Sequence, residues 1–116
     1  MRLAVLMLAA ALGAPIAAQQ QVYEPGNGVT PPILLEDVKP GYTPGAMAAK
    51  IEGSVLMKAV VLDNGRIGDI EVVKSLHPEL DEEAIKALRL WVFRPGTREG
   101  KPVAVRIHCE MNFTLK

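Results

Sequence analysis

His77 stands next to Pro78 and just ahead of Glu79, Asp81, Glu82 and Glu83. An imidazole among four carboxylates could ligate a metal or move a proton. The spacing fits no metal-ligand pattern, however, and acidic residues gathered where a helix begins are accounted for by the positive end of its dipole. A serine, histidine and acid arrangement or a phosphate-cradling glycine loop is equally lacking. The residues therefore imply no catalysis, no cofactor and no metal.

The remaining reactive side chains have structural readings. Cys109 is the only cysteine, and with no second thiol to pair with it is expected to pack as a small apolar group in the core. Trp91 and Phe93 could stack on a ligand, but Trp91 prolongs an apolar helix stripe and both are expected to close the core. Arg94, Arg98 and Lys101 read as solvated loop cations. His108 faces outward, either solvated or against a docked strand.

What positions these residues is a short set of elements. From residue 103 to 115 every odd position is apolar (Val103, Val105, Ile107, Cys109, Met111, Phe113, Leu115). Strand side chains alternate between faces, so this is one long, half-buried strand. Before it, Ala84, Ala87, Leu88 and Trp91 recur at helical spacing, with Ile85 and Val92 widening the stripe. Asp81 is expected to cap that helix, Leu80 and Ile85 to staple its start, and Pro95-Gly96 to end it. Two β-branched runs, 55–62 and 67–75, flank Asn64-Gly65, which predicts a type I′ hairpin. Counting outward from that turn puts Lys58 opposite Glu71, Met57 opposite Val72 and Ala59 opposite Ile70. Leu56, Val60, Leu62 and Val73 share the polar face, so something is expected to cover part of it.

The predicted order is strand, strand, helix, strand. A helical crossover returns the third strand antiparallel to the first, giving an α+β fold of topology β-β-α-β with a three-stranded antiparallel sheet in the order 3-1-2. The third strand is then an edge, longer than the hairpin arms, with main-chain groups left free for another strand.

The 116 residues carry 13 basic and 13 acidic side chains. That balance gives no electrostatic bias toward nucleic acid. Arg2 followed by an apolar run to Leu12, then Gly13, Pro15, Ala17 and Ala18, reads as a signal peptide over residues 1–18. Residues 19–36, rich in Gln, Pro and Gly, are expected to be a flexible, extended linker. The compact domain is expected over residues 37–116.

In this order the elements resemble the C-terminal domain of the TonB energy-transducer family. The resemblance covers residues 38–116: the Pro40 to Pro44 element, Ile51-Glu52-Gly53-Ser54-Val55, Asp63-Asn64-Gly65, Ile70-Glu71-Val72-Val73-Lys74-Ser75, Leu80-Asp81-Glu82-Glu83-Ala84-Ile85, Trp91-Val92-Phe93-Arg94-Pro95, Gly100-Lys101-Pro102-Val103 and Phe113-Thr114-Leu115. Two departures stand out, Tyr42-Thr43-Pro44 for the family's Tyr-Pro pair and Lys39 for a preceding Gln. The resemblance implies a two-layer TonB/TolA C-terminal-like fold, with the helix on the sheet, in the periplasm. It further implies that the last strand recruits the TonB box, an extended segment of outer-membrane TonB-dependent receptors. Ala104, Arg106, His108, Glu110, Asn112 and Thr114 would then line the docked segment, with Lys39, Pro40, Tyr42 and Pro44 close by. Inner-membrane motor proteins of the ExbB/ExbD type are the other partners the resemblance implies, and the open edge by itself allows an edge-paired homodimer. The alternative is an unanchored, TolA-like envelope scaffold that uses the same edge without transmitting force, since the apolar run has neither the Ser nor the His of a transducer's membrane helix.

Overall fold

The computed structural model describes residues 21–115. The predicted signal segment lies outside them, as do the first two residues of the predicted linker.

The central hairpin comprises β4 (Gly53–Val61) and β5 (Ile67–Lys74), reached through three short strands, β1 (Val22–Tyr23), β2 (Val29–Thr30) and β3 (Ile33–Glu36), and one short helix, α1 (Pro44–Ala48). After it come the main helix α2 (Pro78–Arg89), the short strands β6 (Val92–Arg94), β7 (Thr97–Arg98) and β8 (Lys101–Pro102), and the long β9 (Ala104–Phe113). The principal sheet has four strands in the order β1-β9-β4-β5. Within it β9 and β5 both run antiparallel to the central β4, while β1 joins β9 in parallel. The expected three-stranded antiparallel sheet is thus corrected to a mixed one with a fourth strand, and small sheets β2-β7-β8 and β3-β6 stand beside it.

Helix α2 covers one face of the sheet. Leu80, Ala84, Ala87 and Leu88 meet Val55, Met57 and Ala59 of β4 and Cys109, Met111 and Phe113 of β9, all buried. Each fully buried large side chain contributes about 1.5–3 kcal/mol. The odd-residue parity read from the sequence is what sends those β9 side chains inward.

The hairpin holds the expected register, with Met57, Lys58 and Ala59 opposite Val72, Glu71 and Ile70. Its turn differs. The Gly65 N–H donates to the Leu62 carbonyl (2.9 Å) and the Leu62 N–H to the Arg66 carbonyl (2.8 Å), so three residues make the loop. Asn64 stays out of the left-handed region and only Gly65 (φ 85°) enters it. A type I turn followed by a left-handed glycine replaces the predicted type I′ turn. A bulge farther along, where Gly68 and Asp69 oppose Val60, brings the pairing back to the same register.

The helix start is also corrected. Pro78 takes the first helical position, where its missing N–H costs nothing, so the cap moves back to His77, whose Nδ1 accepts from the Glu79 N–H (3.2 Å). Asp81 lies one turn inside and reaches back: Oδ1 accepts the Leu76 and His77 amides (3.0 and 3.3 Å) and Oδ2 the Ser75 hydroxyl. The Leu80 and Ile85 staple therefore does not frame the helix start. At the other end α2 stops at Arg89, before Pro95-Gly96, because pairing with β3 draws residues 92–94 into β6.

Burial pushes the Asp81 carboxyl up, but hydrogen bonds from Ser75, Leu76 and His77 and the charge of His77 outweigh it and hold the group below its ordinary 3.8. A carboxyl lowered on folding adds stability above its unfolded pKa and loses it as pH falls through the folded one. Asp81→Ala is thus expected to cost about 1–2 kcal/mol at neutral pH, as caps do. In urea unfolding the difference from the parent chain should shrink below about pH 4, near the ordinary carboxyl value.

From residue 22 onward the stretch expected to be a flexible, extended linker forms a strap, with β1 on β9, β2 on β7 and β3 on β6. Its backbone groups find partners on strand edges that would otherwise stay open. Thr30 Oγ1 lies 2.8 Å from Thr97 Oγ1 and accepts the Thr97 N–H (2.9 Å), while the Trp91 indole N–H donates to the Val38 carbonyl (2.9 Å). Gly96 makes this closeness possible, since a Cβ there would sit 2.4 Å from the Thr30 carbonyl oxygen.

Candidate functional site, the outer edge of β9

β4 lies opposite β9 at nine successive positions, from Gly53 against Phe113 to Val61 against Val105. β9 therefore does not overhang its neighbour as expected. What is open is the far side of the strand. Among the described residues, β9 has a second neighbour only where Val22 faces Ala104 and Tyr23 faces Val105. Residues 106–113 leave that side free. Consecutive strand residues aim their main-chain groups at opposite edges, so half of these present N–H and C=O groups outward.

The predicted contact residues fall into distinct places. His108, Glu110 and Asn112 are exposed and point to the sheet face away from α2, and the Asn112 Oδ1 accepts the Ser54 hydroxyl (2.6 Å). Arg106 shares that face, with its Nε 3.0 Å from Glu24 Oε2. Ala104 is buried at 1% exposure, and its outer side is already paired with Val22. Thr114 is exposed beyond the end of the strand.

The second predicted group is not gathered with the first. Lys39 and Pro40 line a shallow groove with Glu83 and Lys86 of α2, on the helix side of the sheet. Pro44 opens α1, whose cap is the Thr43 hydroxyl (3.2 Å from the Ala46 N). Tyr42 does meet β9, at its far end. Its ring packs edge-on against Phe113 (centroids 5.6 Å, 86°) and its hydroxyl donates to the Ile51 carbonyl. Burial, with Glu52 nearby, raises the Tyr42 pKa.

No group of His, Cys, Asp and Glu placed to hold a metal occurs among the described residues. His77 spends its Nδ1 on the helix cap. Burial, aided by Glu110, pushes the Cys109 thiol up, which disfavours the reactive thiolate. Trp91 and Phe93 pack together at the end of the core (centroids 6.2 Å).

Sequence reasoning missed Val22, Tyr23 and Glu24 as part of this site. A signal was there: Val22-Tyr23 and Val29-Thr30 flank Asn27-Gly28, the dipeptide of a tight hairpin. That dipeptide does form a two-residue turn, with φ of 52° and 88° and mutual hydrogen bonds between Gly26 and Val29 (2.9 and 3.1 Å). The apolar covering expected on the polar face is also partly the strap's, since Val22, Val60 and Arg106 line one depression. Val60 is 8% exposed, whereas Val73, farther out, is 52% exposed.

Comparison with known proteins decides the lineage. The family described as Gram-negative bacterial TonB protein C-terminal matches residues 38–115. The chain belongs to the TonB C-terminal domain family. Protein TonB of Xanthomonas campestris pv. campestris is 35% identical over 77 residues, covering 66% of this chain and 34% of that protein. Protein TonB of Vibrio cholerae is 33% identical over 104 residues, 88% of this chain and 43% of that one. The solution NMR structure of the Pseudomonas aeruginosa TonB C-terminal domain superposes with a TM-score of 0.62 at 29% identity, covering 78% of this chain and 90% of that one. The chain spans less than half the length of these curated relatives. Among the described residues no helix of this TonB-type domain is long and apolar enough to cross a membrane.

Proposed function

We propose that this TonB-type domain works in the periplasm as a non-enzymatic module of TonB-dependent transport. It binds extended segments of outer-membrane transporters, TonB boxes, by adding them as a strand to β9. The observation that carries the reading is the outer side of residues 106–113, which lacks a neighbour among the described residues in a chain of this family.

A net main-chain hydrogen bond contributes about 1 kcal/mol, while micromolar binding needs about 8 kcal/mol. A full ladder on the outward groups of residues 106–113 would supply about 8 kcal/mol, but association itself costs at least about 4 kcal/mol, so side-chain contacts, Glu110 and Asn112 among them, have to make up the difference. Titrating a synthetic TonB-box peptide into the chain by calorimetry is expected to give one-to-one binding in the micromolar range. Absence of heat at millimolar peptide would sink the reading.

A further inference from the structure

We infer that β1 is an internal occupant of the docking edge, which a partner's extended segment must displace from the first positions of β9. The inference rests on the docking function proposed above. β1 already does in miniature what a docked strand would do. It runs parallel to β9, with Val22 opposite Ala104 and Tyr23 opposite Val105. The next residue, Glu24, reaches Arg106 (3.0 Å) on the outward face.

The occupancy is short for a local reason. Pro25 has no N–H to give to a ladder, and Gly26, at φ 101°, turns the chain away. The hold is also weak. Two residue pairs, one ion pair, the Arg98 guanidinium 5.2 Å from the centre of the Tyr23 ring and 3.5 Å from its hydroxyl, and the half-buried Val22 beside Val60 keep β1 in place. Neither Val22 nor Tyr23 belongs to the hydrophobic core. A segment held by so few contacts opens at low cost, independently of the rest of the domain.

A parallel visitor aligned with the whole of β9 would collide with residues 22–24. Its apparent affinity is therefore scaled by the fraction of time that β1 is away. If β1 is seated between two-thirds and nine-tenths of the time, affinity falls about three- to tenfold. Loss of β1 should restore that factor.

The test uses the full chain and a fluorescently labelled TonB-box peptide, read by anisotropy. The double variant Val22→Pro/Tyr23→Pro removes both amides of β1, and since consecutive amides face opposite edges, one of them must have faced β9. Glu24→Lys turns the Arg106 contact into a repulsion without touching the backbone. Both are expected to bind the peptide about three- to tenfold more tightly than the parent chain. In the parent chain, saturating peptide is expected to speed hydrogen exchange at whichever of the Val22 and Tyr23 amides was protected. Unchanged or weaker binding by both variants, or protection at β1 that persists in the complex, overturns the inference while docking stands. Peptide binding by neither the parent nor the variants overturns the docking reading and this inference together.

Discussion

His108→Pro is expected to weaken TonB-box binding by at least about tenfold, equivalent to about 1.4 kcal/mol or the loss of one to two net main-chain bonds. The ring deletes an amide and adds bulk in the middle of β9, opposite Lys58 of the central strand. If that amide faces outward, a donor to the docked strand is gone. If it faces β4, the strand bends where the visitor must lie flat. His108→Thr leaves the backbone intact and replaces an exposed side chain, so its affinity should stay within about twofold, as surface changes generally do. Calorimetry on both variants checks this, with far-UV circular dichroism confirming that the proline chain is folded. A folded proline variant of full affinity would mean that peptides dock elsewhere.

Gly65→Ala is expected to be among the most destabilising single-methyl changes in the domain. Gly65 has a φ of 85°, and a left-handed conformation costs a residue with a Cβ about 1–2 kcal/mol. The added carbon would lie 2.1 Å from the Phe93 carbonyl oxygen, a backbone atom of β6 that is itself paired to β3. Relieving that overlap means pulling the turn away from β6 and breaking the Phe93 N–H to Gly65 carbonyl bond (3.0 Å), worth about 1 kcal/mol. The sum is about 2–3 kcal/mol, or a fall in Tm of roughly 8–24 °C for a domain of this size. Thermal unfolding followed by Trp91 fluorescence measures it. A change of less than about 3 °C would show that the turn does not bear on β6 as described.

The same dipeptide shows how far this sequence could be read. Asn-Gly occurs at 27–28 and at 64–65. It forms the tight two-residue turn at the first, within a stretch whose Gln, Pro and Gly content reads as linker. At the second, where the flanking β-branched runs made the prediction clear, a three-residue loop with a bulge takes its place. Register survived this because the bulge compensates the extra loop residue, and because sheet pairing is held by which side chains are buried rather than by the turn alone. A two-residue turn with positive φ at both positions also forms at Glu99-Gly100 (φ 54° and 79°), between β7 and β8.

Alternation in β9 and the apolar stripe of α2 were legible because each strand or helix periodicity maps directly onto one buried face. The helix start was not, since Pro78 and His77 act through position rather than hydrophobicity, and Asp81 looks the same to a sequence reader whether it caps or reaches back. The strap was hidden for another reason. Strands of two to four residues paired with distant ones, such as Val22 with Ala104 or Leu34 with Phe93, carry too little local pattern to reveal a partner. For the candidate site, the open outer side of residues 106–113 was legible, but β9 is not the outermost strand it was expected to be, because β1 flanks its start. That the first two positions of β9 are filled from within the chain was not legible.

Docking at β9 requires a visiting strand to lie along residues 106–113. Hydrogen exchange followed amide by amide, with and without a TonB-box peptide, measures this directly. Alternate amides of residues 106–113, those facing away from β4, should gain protection in the complex, while those of β5 on the opposite margin of the sheet keep their rates. If the peptide binds and the outward amides of β9 exchange as before, with protection appearing instead along β5, β3 or the α2 groove, the docking edge has been misassigned.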